Sequence, residues 1–191
     1  MTEFVTMLDS IRVTAPNIPR SAAKVAGYVT GYGDVPWNAE TWALFPHSAH
    51  VRIDQSTGVG LPQQSDVADY EPGAKTLANT MAWLKDRDAR GWWSTIYVGE
   101  PDHPGYSLAA LEQAIKAARV ARVDYWLCRP DLDEKEAAGL LSGGPDGVVA
   151  VQWATPASNP DMTVPGGSMT LKAANVDVSV TLPSWFHQSA K

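Results

Sequence analysis

Four carboxylates stand out for their types and spacing: Asp69 and Glu71 in Ser65-Asp66-Val67-Ala68-Asp69-Tyr70-Glu71, Asp9 after the apolar run Val5-Thr6-Met7-Leu8, and Asp177 inside Asn175-Val176-Asp177-Val178. Alternate side chains of a strand share a face, so Asp69 and Glu71 point together and Tyr70 points away. Pro72-Gly73 then breaks the strand. Two carboxyls this close resist ionising together, which raises one pKa. A carboxyl that keeps its proton near neutral pH is the general acid that glycosidic cleavage requires. Taken alone, the spacing also fits an exposed acidic strand end. Three strands each delivering an acid to one rim is a different matter, because buried, unpaired charge is costly unless it is used. Ion pairing to Arg12 or Arg52 is the structural alternative.

A carbohydrate site also needs flat apolar faces, and the chain holds eight Trp against three Phe. Trp offers a broad ring and one N–H donor. Tyr28, Tyr32, Trp37, Trp126 and Trp153 fall at or just past the ends of expected strands, where rings can stack on sugars. Packing outward beneath helices is the alternative for about half of them.

Other reactive types carry less. His47, His50, His103 and His187 have no metal-ligand spacing, and neither a metal nor a cofactor is called for. Cys128 lies in an apolar strand run and is expected to be buried and inert. Residues 142–147 are Gly-rich without matching a phosphate loop. Asp131, Asp133 and Glu134 suit the start of a helix.

The elements that must position these groups alternate along the chain. Strands are expected at 4–8, 27–32, 50–54, 65–71, 94–98, 125–128 and 148–153, with an alternating segment over 169–171 and 176–180. Helices are expected at 19–25, 39–45, 74–90, from a Ser107 cap onward, and at 133–141. The helix over 74–90 sets Leu77, Met81 and Leu84 on one stripe, and Gly91 stops it. The next repeats Leu108, Leu111, Ile115 and Ala118. Residues 155–167 form a loop rich in Pro and Gly. About eight strands with helical crossovers imply a mostly parallel sheet, and that number favours closure. The fold class is α/β, a TIM-type (β/α) barrel whose helices dwindle toward the C-terminus, in a single domain over 1–191. Asp9 and Asp177, on the first and last strands, then become neighbours.

Bulk properties narrow the partners. The net charge is −6 and the pI about 5.1, with no Lys/Arg cluster. That disfavours nucleic acid and anionic membranes. The start lacks a basic segment followed by an apolar run, so neither a secretory signal nor a transmembrane helix is expected. Synthesis in the cytoplasm is expected, with action at the cell wall or carriage in a phage particle.

In matching order over nearly the whole chain, Asp9, the Asp69-Tyr70-Glu71 triplet, Tyr97, Tyr125-Trp126, Gln152-Trp153 and Asp177 resemble glycoside hydrolase family 25, the barrel lysozymes. Tyr70-Glu71-Pro72-Gly73-Ala74, leading into a Trp-bearing helix, also resembles glycoside-hydrolase-like domains of actinobacteria and their phages. The resemblance implies cleavage of the β-1,4 bond after N-acetylmuramic acid in peptidoglycan. Glu71 would be the general acid, and Asp69 would stabilise, position or attack. Asp9 and Asp177 would hold the site's charge and hydrogen bonds. Tyr97, Gln152 and the aromatics would contact the glycan strand. The sequence departs from the family pattern after Asp9, where Ser10-Ile11-Arg12 lacks the usual polar continuation, and at Tyr70, bulkier than the usual aliphatic. No wall-binding repeat follows. The competing expectation is a catalytically weak or inactive glycan-binding or structural barrel, such as a phage tail component with other virion proteins as partners.

Overall fold

A computed structural model describes residues 3–31, 35–99 and 103–185. Eight strands close into one barrel in sequence order: β1 (Val5–Asp9), β2 (Lys24–Tyr28), β3 (Ala49–Asp54), β4 (Val67–Tyr70), β5 (Ser94–Val98), β6 (Val123–Cys128), β7 (Val148–Ala154) and β8 (Asp177–Thr181). Neighbours from β1 through β7 run parallel, while β8 runs antiparallel to both β7 and β1. The barrel is therefore mixed and mostly parallel, with helices between most strands. Helices α1 (Ala39–Trp42), α2 (Leu77–Ala89), α3 (Leu108–Ala118), α4 (Glu134–Gly143) and α5 (Leu171–Ala174) line the outside and shorten toward the C-terminus.

Side-chain caps start the helices where the sequence places them. Thr76, Ser107 and Asp133 each accept a backbone N–H from three residues on, and Asp133 with Glu136 completes a capping box. The buried face of α2 is Thr80, Trp83, Leu84 and Arg87. Leu77 and Met81, expected on that stripe, are only partly buried.

Two expected elements are corrected. Residues 19–25 are not a helix: Lys24 and Val25 open β2, where Lys24 pairs with Met7 and Ala49. Apolar neighbours on both sides favour a strand over a short helix that opens on Pro. Likewise Met169–Leu171 is not a strand; Thr170 caps α5.

Inside the barrel, Met7, Ala26, Val51, Val67, Trp126, Ala150 and Trp185 form the lower core. Trp185 stops the end away from the mouth: its Nε1 donates to Thr95 Oγ1 at 3.1 Å, and the Lys24 ammonium lies 5.1 Å from its ring centre. The outer layer packs Leu8, Val25, Tyr70, Ile96, Leu127, Val151 and Val178 under the helices. Trp37 lies flat on Gly27, where an added Cβ would come within 2.3 Å of the indole. Gly27→Ala should displace that ring and destabilise the fold by about 1–3 kcal/mol, the usual range for overpacking; an unchanged denaturation midpoint would refute this seating.

The β3–β4 crossover carries no helix. A buried ion pair organises it instead, with Lys75 Nζ 3.1 Å from Asp54 Oδ1 and both side chains fully enclosed.

Candidate functional site

The mouth lies at the C-terminal ends of the parallel strands. Asp9 is the last residue of β1 and Asp69 the third of four in β4, followed by Glu71 just past the strand. Because β8 runs the opposite way, its first residue, Asp177, is the one at the mouth, directly paired with Asp9. Had β8 been parallel, Asp177 would sit at the plugged end. Four carboxyls thus line one partly open cavity of about 180 Å³.

The rest of the wall is aromatic and amide. Tyr28, Tyr97, Trp126, Gln152 and Ile53 complete the lining. Trp126 donates its Nε1 to Ser179 Oγ at 3.1 Å and meets Tyr97 edge-on at 4.9 Å. Beneath it Trp185 makes another edge contact at 6.0 Å, so the floor is rigid indole on indole. Two larger hollows on the outer wall, about 400 and 460 Å³, are mainly apolar and lie away from these carboxyls.

Asp9 and Asp69 are almost fully enclosed, at 3% and 1% exposure. Among the described residues, Asp9 Oδ2 and both Asp69 oxygens lack a hydrogen bond of standard geometry. Burial pushes Asp9 well above the usual carboxyl range, and Asp177, Asp69 and Glu71 add to it. Burial also raises Asp69 strongly, with Glu71 next, while the Gln55 amide and Lys75 pull it down. Asp177 is pushed up to about 7 by burial and by Glu71. The cluster is built to hold protons near neutral pH. Tyr28 and Tyr97 are raised by burial first and by the surrounding carboxylates as well, which keeps both phenols neutral donors. The Cys128 thiol, pushed up to about 11 by burial, stays protonated beside Tyr97.

Arg52, an alternative partner for these acids, engages Asp66 outside the barrel at 3.0 Å. Of the site residues expected from sequence, Asp9, Asp69, Glu71, Asp177, Tyr28, Tyr97, Trp126 and Gln152 meet at this cavity. Trp37 does not: its Nε1 donates to the Ser10 carbonyl at 2.8 Å, and its ring packs on Phe45 beneath α1. Trp153 does not either; it sits on the outward face of β7 in the outer core. For Trp153 the strand alternation that turns Gln152 inward turns the ring out, whereas Trp37 stands in the coil after β2. Tyr32 lies outside the described residues, as does His187.

Sequence reasoning missed Ile53, Gln55, Lys75 and Gly99. A Cβ on Gly99 would come within 2.3 Å of Glu71 Oε2, so the missing side chain is what makes room for this carboxyl. The signal was a glycine at the end of the adjacent strand, legible only once Val98 is paired with Tyr70. Gly99→Ala should push Glu71 out of line and lower any turnover at this site by about 100-fold, the scale of a 1 Å misplacement. Its melting temperature should stay close to that of the native chain; full turnover in the variant would show that Glu71's present position is not needed.

Among the described residues no group of His, Cys, Asp and Glu is arranged to hold a metal ion, and no helix is long and apolar enough to cross a membrane.

No protein-family model matches the chain, and no curated protein does. A solved structure, the 1.07 Å crystal structure of an uncharacterized B. stearothermophilus protein, is similar in fold, with a TM-score of 0.57 at 15% identity over 93% of this chain and 95% of that one.

Proposed function

We propose that this chain is a peptidoglycan glycosidase of the muramidase kind, a TIM-type barrel enzyme whose last strand is reversed. Glu71 acts as general acid and Asp69 as second carboxylate. The observation that carries this reading is the convergence of four carboxyls, from β1, β4 and β8, on one cavity with aromatic walls. In the reaction the Glu71 proton passes to the bridging oxygen as the bond to the sugar's anomeric carbon breaks. Asp69 faces the positive charge that develops there, and water supplies the new hydroxyl. Asp9 and Asp177, paired across β1 and β8, surround that charge with further acceptors. Tyr28, Tyr97 and Gln152 supply hydroxyl and amide groups for the sugar's own hydroxyls, and Trp126 supplies an apolar floor. Metal and cofactor play no part in this scheme.

The test is release of reducing ends from purified cell walls by the native chain and by Glu71→Gln. Release by the native chain and loss in the variant support the hydrolase. Negligible release from both, with retained binding to wall glycan, would leave the second reading, an inactive glycan-gripping barrel such as a phage tail component.

A further inference from the structure

The cavity at the mouth is charged in one direction only. Asp9 from β1, Asp69 and Glu71 from β4 and Asp177 from β8 bring four acids to it. Among the described residues no Lys, Arg or His lines its wall, and Ile53, Trp126 and Gln152 from β3, β6 and β7 bring no charge. Lys75, which follows β4, spends its ammonium on Asp54 Oδ1 at 3.1 Å and Ser56 Oγ at 2.7 Å. The other titratable neighbours, Tyr28, Tyr97 and the Cys128 thiol, are raised by burial and stay neutral.

The acids also have acceptor capacity to spare. Asp69 is 1% exposed, and among the described residues neither of its oxygens meets a donor in standard geometry; nor does Asp9 Oδ2. Unmet buried acceptors are costly, charged ones most of all. A wall of this kind suits a compact cation with several donors. A primary ammonium carries one charge and three N–H groups, and the rings of Tyr28, Tyr97 and Trp126 lining the same space suit a cation too. A metal ion fits less well, since among the described residues no group of His, Cys, Asp and Glu is arranged to hold one. An acetamide also fits less well: it offers a single N–H and turns a carbonyl oxygen toward the acids. At about 180 Å³ the space equals roughly six waters of about 30 Å³ each, which suits the amine-bearing edge of one sugar better than a length of peptide.

We propose that this cavity is an ammonium-binding subsite: it takes a sugar unit whose 2-position carries a free, protonated amine, so the preferred substrate is a wall glycan that has lost acetyl groups. That a wall sugar carries the amine rests on the hydrolase reading; the preference for an ammonium rests on the carboxyls alone. Binding exchanges protons for charge. The ligand's ammonium keeps its own protons, and acids protonated in the ligand-free chain, such as Asp177 with its pKa raised to about 7, release theirs to solvent beside it.

The test is titration calorimetry with a glucosamine tetramer and an N-acetylglucosamine tetramer. At pH 6, where most of the sugar amines are protonated, the free-amine tetramer should bind about tenfold more tightly or better, the worth of one charged hydrogen bond. Release of about one proton per ligand should make that binding about tenfold weaker at pH 5. Asp69→Asn and Asp177→Asn should each weaken the free-amine tetramer about tenfold and leave the acetylated one within about threefold. Glu40→Gln, exposed on the outside at α1, should change neither; an equal loss there would mark adventitious pairing with an acidic surface and overturn the proposal. Equal or tighter binding of the acetylated tetramer overturns it, as does no binding of either. Should neither Asn variant fold, the proton count in the native chain decides, measured in two buffers of different ionisation enthalpy: release supports, uptake or none overturns. A free-amine preference in a chain that releases no reducing ends from walls, acetylated or not, would retire the hydrolase and keep the subsite; hydrolysis without that preference would do the reverse.

Discussion

Glu71→Gln is expected to lower reducing-end release from purified walls by about 10²–10⁴-fold, the usual contribution of a positioned general acid. The amide fills the carboxyl's volume, so the slot against Gly99 stays occupied and the circular dichroism spectrum and melting temperature should match the native chain. What is lost is the transferable proton. Asp69→Asn should be comparably damaging by a different route, removing the carboxyl that faces the anomeric carbon. The two can be told apart with a substrate whose leaving group needs no protonation, such as an activated aryl glycoside: Glu71→Gln should retain bond cleavage on it, and Asp69→Asn should not. The native rate should fall as pH rises through the apparent pKa of the acid, which belongs to the coupled carboxyls rather than to one residue. A rate that is flat from pH 5 to 8 would remove Glu71 from the acid's role.

The positions of the acids were legible because strand alternation is a strong rule. Asp69 and Glu71 sit two apart before a Pro-Gly break, and nothing but an irregularity in β4 could have separated them. Gln152 and Trp126 turned inward for the same reason, and the rule that placed them also places Trp153 outside. Trp37 follows no strand rule at all: it stands in a coil whose path depends on Gly27 offering a flat seat. The reversal of β8 was not legible. Its sequence alternates as either direction would, yet only the antiparallel one brings Asp177 beside Asp9 at the mouth. The expectation of neighbouring first and last strands was right for the pairing and silent on direction. Lys75 left no signal either. A lysine between Ala74 and Thr76 reads as an exposed helix start, and its burial depends on a partner 21 residues upstream and on a loop fold set by Gly60. Local pattern shows which side of a strand a residue faces; contacts between distant segments decide what it meets there.

A site made of enclosed carboxyls also sets how the whole fold responds to pH. Below about pH 4 Asp9, Asp69 and Asp177 hold protons whether the chain is folded or not, so they contribute no difference. As pH rises from there the unfolded chain releases those protons while the folded one keeps them, and stability declines until the folded groups ionise too, near pH 7 for Asp177. Above that point the charged cluster stays folded at a fixed cost. The native chain should therefore be less stable at pH 8 than at pH 5, by on the order of 2–4 kcal/mol, because a proton held one pH unit longer in the folded chain is worth about 1.4 kcal/mol. Ion pairs outside the barrel, such as Arg90 with Asp86, contribute little to that slope. Asp177→Asn removes one of the charges and relieves Asp9 of its nearest like neighbour, so it should raise stability at pH 8 by on the order of 1–3 kcal/mol and flatten the decline. Denaturant unfolding of both chains at pH 5 and pH 8 measures each effect. A native chain that gains stability toward pH 8, or a variant with an unchanged slope, would mean that water or counter-ions already neutralise the cluster; a stabilised variant that has lost wall hydrolysis would instead show that the folded chain tolerates this strain because the reaction uses it.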